Sequence, residues 1–307
     1  MRFRTLAGVV PGLPTADGNG VPLRRIFPTG RLSLVDPFLL LDHFGPLTLS
    51  PGSDVGFPPH PHRGFQTLTY LIQGAFAHRD STGGQGLLRP GGAQLMTAGS
   101  GIVHEEMPLP EAGAGAKAHG AQLRPKGAAQ EGLHEDLETG GAIEGLQLWI
   151  NLPRDQKWSP PGYRDLQPET MPWQAFPGGR LRALAGDWLG AHGPAETPVP
   201  IAYAHLELEA GTPFEHRLPE GWNAGVYVLH GAVSVGNARV GAGNLALLSL
   251  EGDGLDLVAE DSSSLILLGG RPLNEPLARG GPFVMNTEAE IQQAFADYRA
   301  GLMGFLD

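Results

Sequence analysis

The sequence predicts an all-β protein: two similar β domains in tandem, closed by a short C-terminal helix. Three observations carry this. First, 46 glycines and 28 prolines in 307 residues interrupt many short apolar runs, the pattern of turns between short strands. Second, a block of the first half returns in the second. Tyr70-Leu71-Ile72-Gln73-Gly74-Ala75 matches Tyr227-Val228-Leu229-His230-Gly231-Ala232, and further on Gly99-Ser100-Gly101 matches Gly252-Asp253-Gly254. The two offsets differ by only a small deletion, so the repeat spans a whole domain. Third, Thr287-Glu288-Ala289-Glu290 has the form of a capping box, and Ile291, Phe295, Tyr298, Leu302 and Phe305 follow at helical spacing.

The elements follow in order. Gln66–Gln73 is a β-branched and aromatic run ended by Gly74, and Ala75–Ser81 returns from it. Gly86–Arg89 leads into the turn Pro90-Gly91-Gly92. Ala93–Thr97 is the next strand, residues 98–101 a turn, and Ile102–Glu106 another strand. Residues 111–145 are rich in alanine, glycine and charge and read as a loop. Leu146–Leu152 is a strand, and the proline-rich stretch 153–180 reads as a linker. The expected division is therefore 1–152, a linker over 153–180, and 181–307, with strands resuming at Ala202–Glu209 and a helix over about 287–305. The apolar stripe of that helix reads as packing surface.

Composition narrows the chemistry. The net charge is −11, which repels phosphate backbones and anionic lipid, so direct nucleic-acid or membrane binding is not expected. Without cysteine there is no disulfide, thiolate nucleophile or iron–sulfur cluster, and any metal must be held by His, Asp or Glu. The N-terminus has no apolar stretch of signal-peptide length, and no apolar run reaches the about 18 residues of a membrane span. The expectation is a cytoplasmic monomer.

The first half carries a candidate metal site. His60-Pro61-His62 puts two imidazoles on one face of an extended segment, about 6.6 Å apart along the chain. In Val103-His104-Glu105-Glu106 the same period aligns His104 with Glu106 and turns Glu105 away. One His-x-His among 11 histidines is weak evidence. The same spacing in two strand-like segments beside glycine-rich turns is much stronger. Three imidazoles and one carboxylate suit Fe, Mn, Ni, Co, Cu or Zn, and a six-coordinate ion would keep two positions open for water, oxygen or a chelating substrate. His43, His78, His119, His134, His192, His205, His216 and His230 lack such company and read as structural or surface residues.

Gly56–Gly74 (GFPPHPHRGFQTLTYLIQG) resembles the first cupin motif and Pro90–Glu106 (PGGAQLMTAGSGIVHEE) the second. With DPFLLLDHFGP, MTAGSGIVHEEMP, GWNAGVYVLHGAVSVG and GPFVMNT, the chain is similar to the pirin family over about residues 20–305. The resemblance implies two tandem cupin (jelly-roll) domains and an N-terminal metal site, usually iron, at His60, His62, His104 and Glu106. Gln66 stands where many cupins have Glu, so the resemblance implies that a supporting acid or base is missing there. Carried through the repeat, His104 and Glu106 become Leu257 and Ala259, and His60 and His62 fall near Arg217 and Pro219, so the second cupin is expected to have lost the ligands.

Two roles follow from the resemblance. One is a quercetin 2,3-dioxygenase-like enzyme, which opens a flavonol ring with O₂ and releases carbon monoxide, with Fe(II) as the expected ion and Glu106 as general base. The other is an iron-dependent, redox-responsive protein that modulates a protein partner, a transcription regulator or a metabolic enzyme. An apolar pocket walled by Phe44, Phe57 and Phe65 would favour the enzyme.

Overall fold

The structure is a computed structural model and describes residues 1–50, 52–109 and 141–306. Its first strands are β1 (Leu6–Pro11), β2 (Leu13–Asp17), β3 (Val21–Phe27), β4 (Phe38–Leu49), β5 (Phe57–His62) and β6 (Phe65–Gln73). Next come β7 (Ala75–Asp80), β8 (Gln85–Leu88), β9 (Ala93–Thr97), β10 (Ile102–Leu109), β11 (Gly141–Asn151) and β12 (Gly162–Leu166). The second half holds β13 (Gln174–Phe176), β14 (Gly179–Trp188), β15 (Ala191–Pro194), β16 (Ile201–Leu208), β17 (Pro213–Arg217) and β18 (Asn223–His230). It continues with β19 (Ala232–Val235), β20 (Ala238–Gly241), β21 (Asn244–Leu248), β22 (Gly254–Ala259) and β23 (Ser263–Gly270). The chain then runs through β24 (Ala278–Gly280) and β25 (Phe283–Met285) into α1 (Glu288–Arg299).

Each half folds as a large sheet and a small one. In the first half the orders are β12-β9-β6-β11-β4-β3-β2 and β5-β10-β7-β8. In the second they are β1-β21-β18-β23-β16-β14-β13, with β15 on β14, and β17-β22-β19-β20. The two large sheets pack on each other through one apolar cluster. Leu68, Tyr70, Leu146, Leu148 and Ile150 meet Leu184, Tyr203, Tyr227, Ile266 and Leu268 there. Because side chains alternate along a strand, the neighbours of these residues point the other way, into the barrels.

The two barrel interiors differ. The second is apolar, filled by residues such as Val226, Val228, Leu255, Leu257 and Leu265. The first is closed at one end by apolar packing, where Phe44 and Phe57 both pack on Phe76 at ring distances of 5.2 and 6.5 Å. Elsewhere it buries Thr67, Thr69, Gln94, His62, His104 and Glu106. Buried polar groups are costly unless they are paired or serve a purpose, so this interior marks the site. Of the three phenylalanines expected to wall it, only Phe65 touches an imidazole, with its ring 5.1 Å from that of His62.

Several segments depart from the local reading. The stretch 153–180 carries β12, which edges the first large sheet against β9, and β13, which edges the second against β14. Of the expected loop 111–145, residues 141–145 begin β11, held between β4 and β6, and the rest lies outside the described residues. Both chain ends cross over. β1 pairs with β21 of the second half, while the C-terminal segment docks on the first. There the Val284 amide donates to the Arg63 carbonyl (3.0 Å) and Arg63 pairs with Asp297 (2.7 Å). Lys157, fully buried, donates to the carbonyls of Gly64 (2.8 Å) and Val284 (3.0 Å) and to Asn151 Oδ1 (2.7 Å).

α1 opens on the expected capping box. The Thr287 side chain accepts from the Glu290 amide, and the Glu290 carboxylate accepts from that of Thr287. The helix ends at Arg299 and not at about 305, because Gly301 takes a φ of +75°, where the helix cannot continue. Ile291 and Phe295 pack inward, whereas Leu302 and Phe305 are 73% and 75% exposed, so the stripe is packing surface only over its first turns. Among the described residues no helix is long and apolar enough to cross a membrane.

Candidate metal centre

β5 and β10 are antiparallel neighbours, with His60 opposite His104 and His62 opposite Ile102. The two-residue period aligns His60 with His62, and the cross-strand register brings His104 to them. One nitrogen from each imidazole lies within 4.8 Å of the others, with ring centroids 4.3 to 5.0 Å apart. Between His104 and Glu106 the register shifts, with Glu106 opposite Phe57. The extra residue on β5 falls in Pro58-Pro59, which have no N–H to contribute to the ladder.

The ring orientations follow from what holds each Nδ1. His60 Nδ1 lies 2.8 Å from the Pro58 carbonyl and His62 Nδ1 3.3 Å from that of Pro282. A carbonyl can only accept, so both rings donate from Nδ1, and in the neutral form of the ring that leaves Nε2 as a bare lone pair. His104 Nδ1 meets the Tyr163 hydroxyl at 2.6 Å, and its Nε2 is buried with no partner. Burial, and then the neighbouring imidazoles, push His62 and His104 well below the ordinary imidazole range. Neutral rings with their outer nitrogens tied off are the state in which histidine binds metal. A buried, partnerless Nε2 is otherwise costly. The donor set therefore fits a borderline divalent ion.

Glu106 is buried beside these rings but lies outside the group of three. Its carboxylate accepts from the Thr69 hydroxyl (3.3 Å) and the Gln147 amide (3.0 Å). Trp149 Nε1–H donates to Gln147 Oε1 at 3.0 Å, which fixes which end of that amide faces Glu106. Burial raises the Glu106 pKa, against the pull of His60 and these donors. Glu105 turns the other way and pairs with Arg79. Trp149 also closes one side, its ring 5.1 Å from His62 and stacked on Phe65 at 4.2 Å.

Two family models match the chain in succession, Pirin over residues 20–124 and the Pirin C-terminal cupin domain over residues 203–304. The chain belongs to the pirin family. It is 39% identical, over 98% of its length and 99% of the other's, to a Pseudomonas aeruginosa protein named "Putative quercetin 2,3-dioxygenase". It is 36% identical to the mouse protein named pirin, over 94% of this chain and 90% of that one. Among solved structures, a quercetin 2,3-dioxygenase from Acinetobacter baumannii superposes with a TM-score of 0.86 at 36% identity, covering 99% of each chain. Both halves are thus cupins, as the family implies.

Within this pirin-family fold the second cupin can be compared with the first position by position. β17 pairs with β22 so that Phe214 faces Leu257 and His216 faces Leu255. The positions matching His60 and His62 are therefore Phe214 and His216, not Arg217 and Pro219. The sequence offset slips because the intervening turns differ in length. Phe214, His216, Leu257 and Ala259 stand where the first half has His60, His62, His104 and Glu106, and His216 stacks on Trp188 at 4.4 Å.

Gln66 also needs correction. It shares a face of β6 with Leu68 and Tyr70, which point into the cluster between the large sheets, and it donates to Thr97 Oγ1 at 2.8 Å. The position faces away from the imidazoles, so no supporting acid is missing there. The groups that do support the site are Thr69, Gln147, Trp149 and Tyr163, none of which the sequence reading singled out. Gln147 and Trp149 alternate with Leu146, Leu148 and Ile150, and that alternation was the available signal. Tyr163 sits in a proline-rich stretch with no such signal. Its ring stacks on His78 at 4.8 Å, and His78 in turn pairs with Asp165 (3.3 Å). His43 and His205 are buried between the large sheets, and His192 is an exposed partner of Asp187. His119 and His134 lie outside the described residues.

Proposed function

We propose that this pirin-family protein is a metal-dependent oxygenase of the quercetin 2,3-dioxygenase type. One ion, Fe(II) in the first instance, is held by Nε2 of His60, His62 and His104, with Glu106 as fourth ligand or immediate neighbour. The observation that supports this most is the convergence of three imidazoles whose Nδ1 atoms are all engaged, beside one buried carboxylate. The names of the relatives point to the same chemistry. When bound, the ion supplies Lewis acidity toward a flavonol hydroxyl and a route for electrons to O₂. Glu106 takes the hydroxyl proton on a carboxylate oxygen, held in place by Thr69 and Gln147. Trp149, backed by the buried Phe65, offers an apolar wall to a flat ring and keeps water from it. Tyr163 accepts from His104 Nδ1–H and so keeps the Nε2 lone pair turned toward the ion.

The test is aerobic loss of quercetin absorbance with Fe(II)-reconstituted protein, beside metal-free protein and the His62→Ala variant. Catalytic loss with O₂ uptake and CO release in the wild type alone is the expected result. Metal-loaded protein that leaves quercetin untouched would overturn the oxygenase reading. Tyr163→Phe removes only the hydroxyl. It is expected to weaken metal affinity by about 10-fold or more, measured by competition with a chelating dye, while the fold stays intact.

A further inference from the structure

The interface between the two large sheets is built twice, once in each half. Tyr70 of the first half reaches His205 Nδ1 of the second at 2.9 Å, and Tyr227 of the second reaches His43 Nδ1 of the first at 3.0 Å. Each histidine has an arginine directly across the strand pair, Arg182 opposite His205 and Arg24 opposite His43. Each also uses its Nε2 on an equivalent residue, Ser264 at 2.7 Å and Glu144 at 3.0 Å. The two sets thus match in tyrosine, histidine and arginine.

Besides Ser264 against Glu144, they differ in what covers the arginine. Extending the β13–β14 register by one residue sets Trp173 opposite Arg182. Its indole lies 4.9 Å from the His205 ring, with the Arg180 and Arg182 guanidinium carbons 4.4 and 4.8 Å from its centre. In the first half the residue opposite Arg24 is Pro14. The proline does not fill the corresponding volume, and a cleft of about 450 Å³ lies there, lined by Pro14, Leu23, Arg24, His43, Tyr227 and His230 among others. Its size is that of a small-molecule site. Its wall combines apolar side chains such as Leu23, Leu47 and Leu229 with the polar groups of Arg24, His43 and His230. Arg24 is held from one side, Nη1 donating to the Gly12 carbonyl at 2.8 Å.

We propose that this cleft between the two cupins binds a planar, two-ring aromatic molecule, which takes the place against Arg24 and His43 that Trp173 takes against Arg182 and His205. The ring would lie on the guanidinium face, a cation–π contact, with its edge toward the His43 ring and its polar atom toward Tyr227 or His230. The site is separate from the three imidazoles and does not rest on the oxygenase reading.

The probe is indole, the side chain that fills the matching volume. Calorimetric titration of wild-type protein is expected to give one saturable site per chain. Pro14→Trp, which supplies the missing indole from within, is expected to weaken binding at least tenfold. Arg24→Met keeps the stem without the charge and is expected to weaken it about threefold or more. Trp173→Ala vacates the second volume and is expected to raise the stoichiometry to two. His62→Ala is expected to bind indole as the wild type does. The proposal fails if wild-type protein shows no saturable binding, if Pro14→Trp and Arg24→Met both bind indole with wild-type affinity, or if His62→Ala abolishes it.

Discussion

Replacing His104 with alanine is expected to abolish specific metal uptake, and with it every metal-dependent gain in thermal stability. A ligand at one hundred times its Kd stabilises a folded protein by about 2.7 kcal/mol, and for a chain of this size that corresponds to roughly 4 °C in Tm. The wild type should show that shift on adding Fe(II), and the variant none. His62→Ala and Glu106→Gln are expected to behave likewise, Glu106→Gln because an amide cannot supply the single anionic donor of the proposed set. The metal-free His104→Ala protein should itself lose about 1–3 kcal/mol, since the buried Tyr163 hydroxyl loses its partner. Thermal unfolding with and without metal, alongside metal content per chain, measures both effects. Full occupancy in these variants would contradict the ligand assignment.

Gly64→Ala is the second large effect and ties the fold to the site. Gly64 has a φ of +87°, and a Cβ there would stand 1.9 Å from the Val284 carbonyl oxygen and 2.8 Å from Met285 Sδ. Left-handed backbone strain and overpacking add to about 3 kcal/mol, read by urea unfolding. Gly20 has a similar φ of +78° but nothing within 4 Å of its Cβ position. Gly20→Ala should therefore cost only the backbone share, about 1–2 kcal/mol. Gly64 follows His62 by two residues, and the His62 ring is held by the Pro282 carbonyl. Forcing β25 away from Gly64 should loosen that hold, so metal affinity is expected to fall with stability in Gly64→Ala and to stay unchanged in Gly20→Ala. Equal stability losses in the two variants would contradict the close approach of Val284.

Much of this architecture is local and could be read as sequence. Strand period and glycine turns mark β6 through β10, the repeat marks the second cupin, and the capping box marks the start of α1. The same two-residue period brings His60, His62 and His104 together, because it acts within two strands that happen to be neighbours. What the sequence did not reveal depends on distant partners. Tyr163 reaches His104 from an edge strand formed by a proline-rich stretch whose local preferences read as linker. Pro282 reaches His62 from the far end of the chain through a backbone carbonyl, which leaves no trace in residue type. Gly141–Gly145 has poor strand propensity and becomes strand only because β4 and β6 pair with it on both sides. The face of Gln66 depends on strand register, and a family pattern aligned by sequence does not reveal it.

In the proposed site one metal ion sits among His60, His62 and His104, next to Glu106. X-ray absorption at the iron edge on Fe(II)-reconstituted protein, with His104→Ala beside it, tests this most directly. One iron per chain with three imidazole nitrogens and oxygen as nearest neighbours is expected, and loss of that signature in the variant. A shell with fewer than three imidazoles, or the same spectrum from His104→Ala, would contradict it.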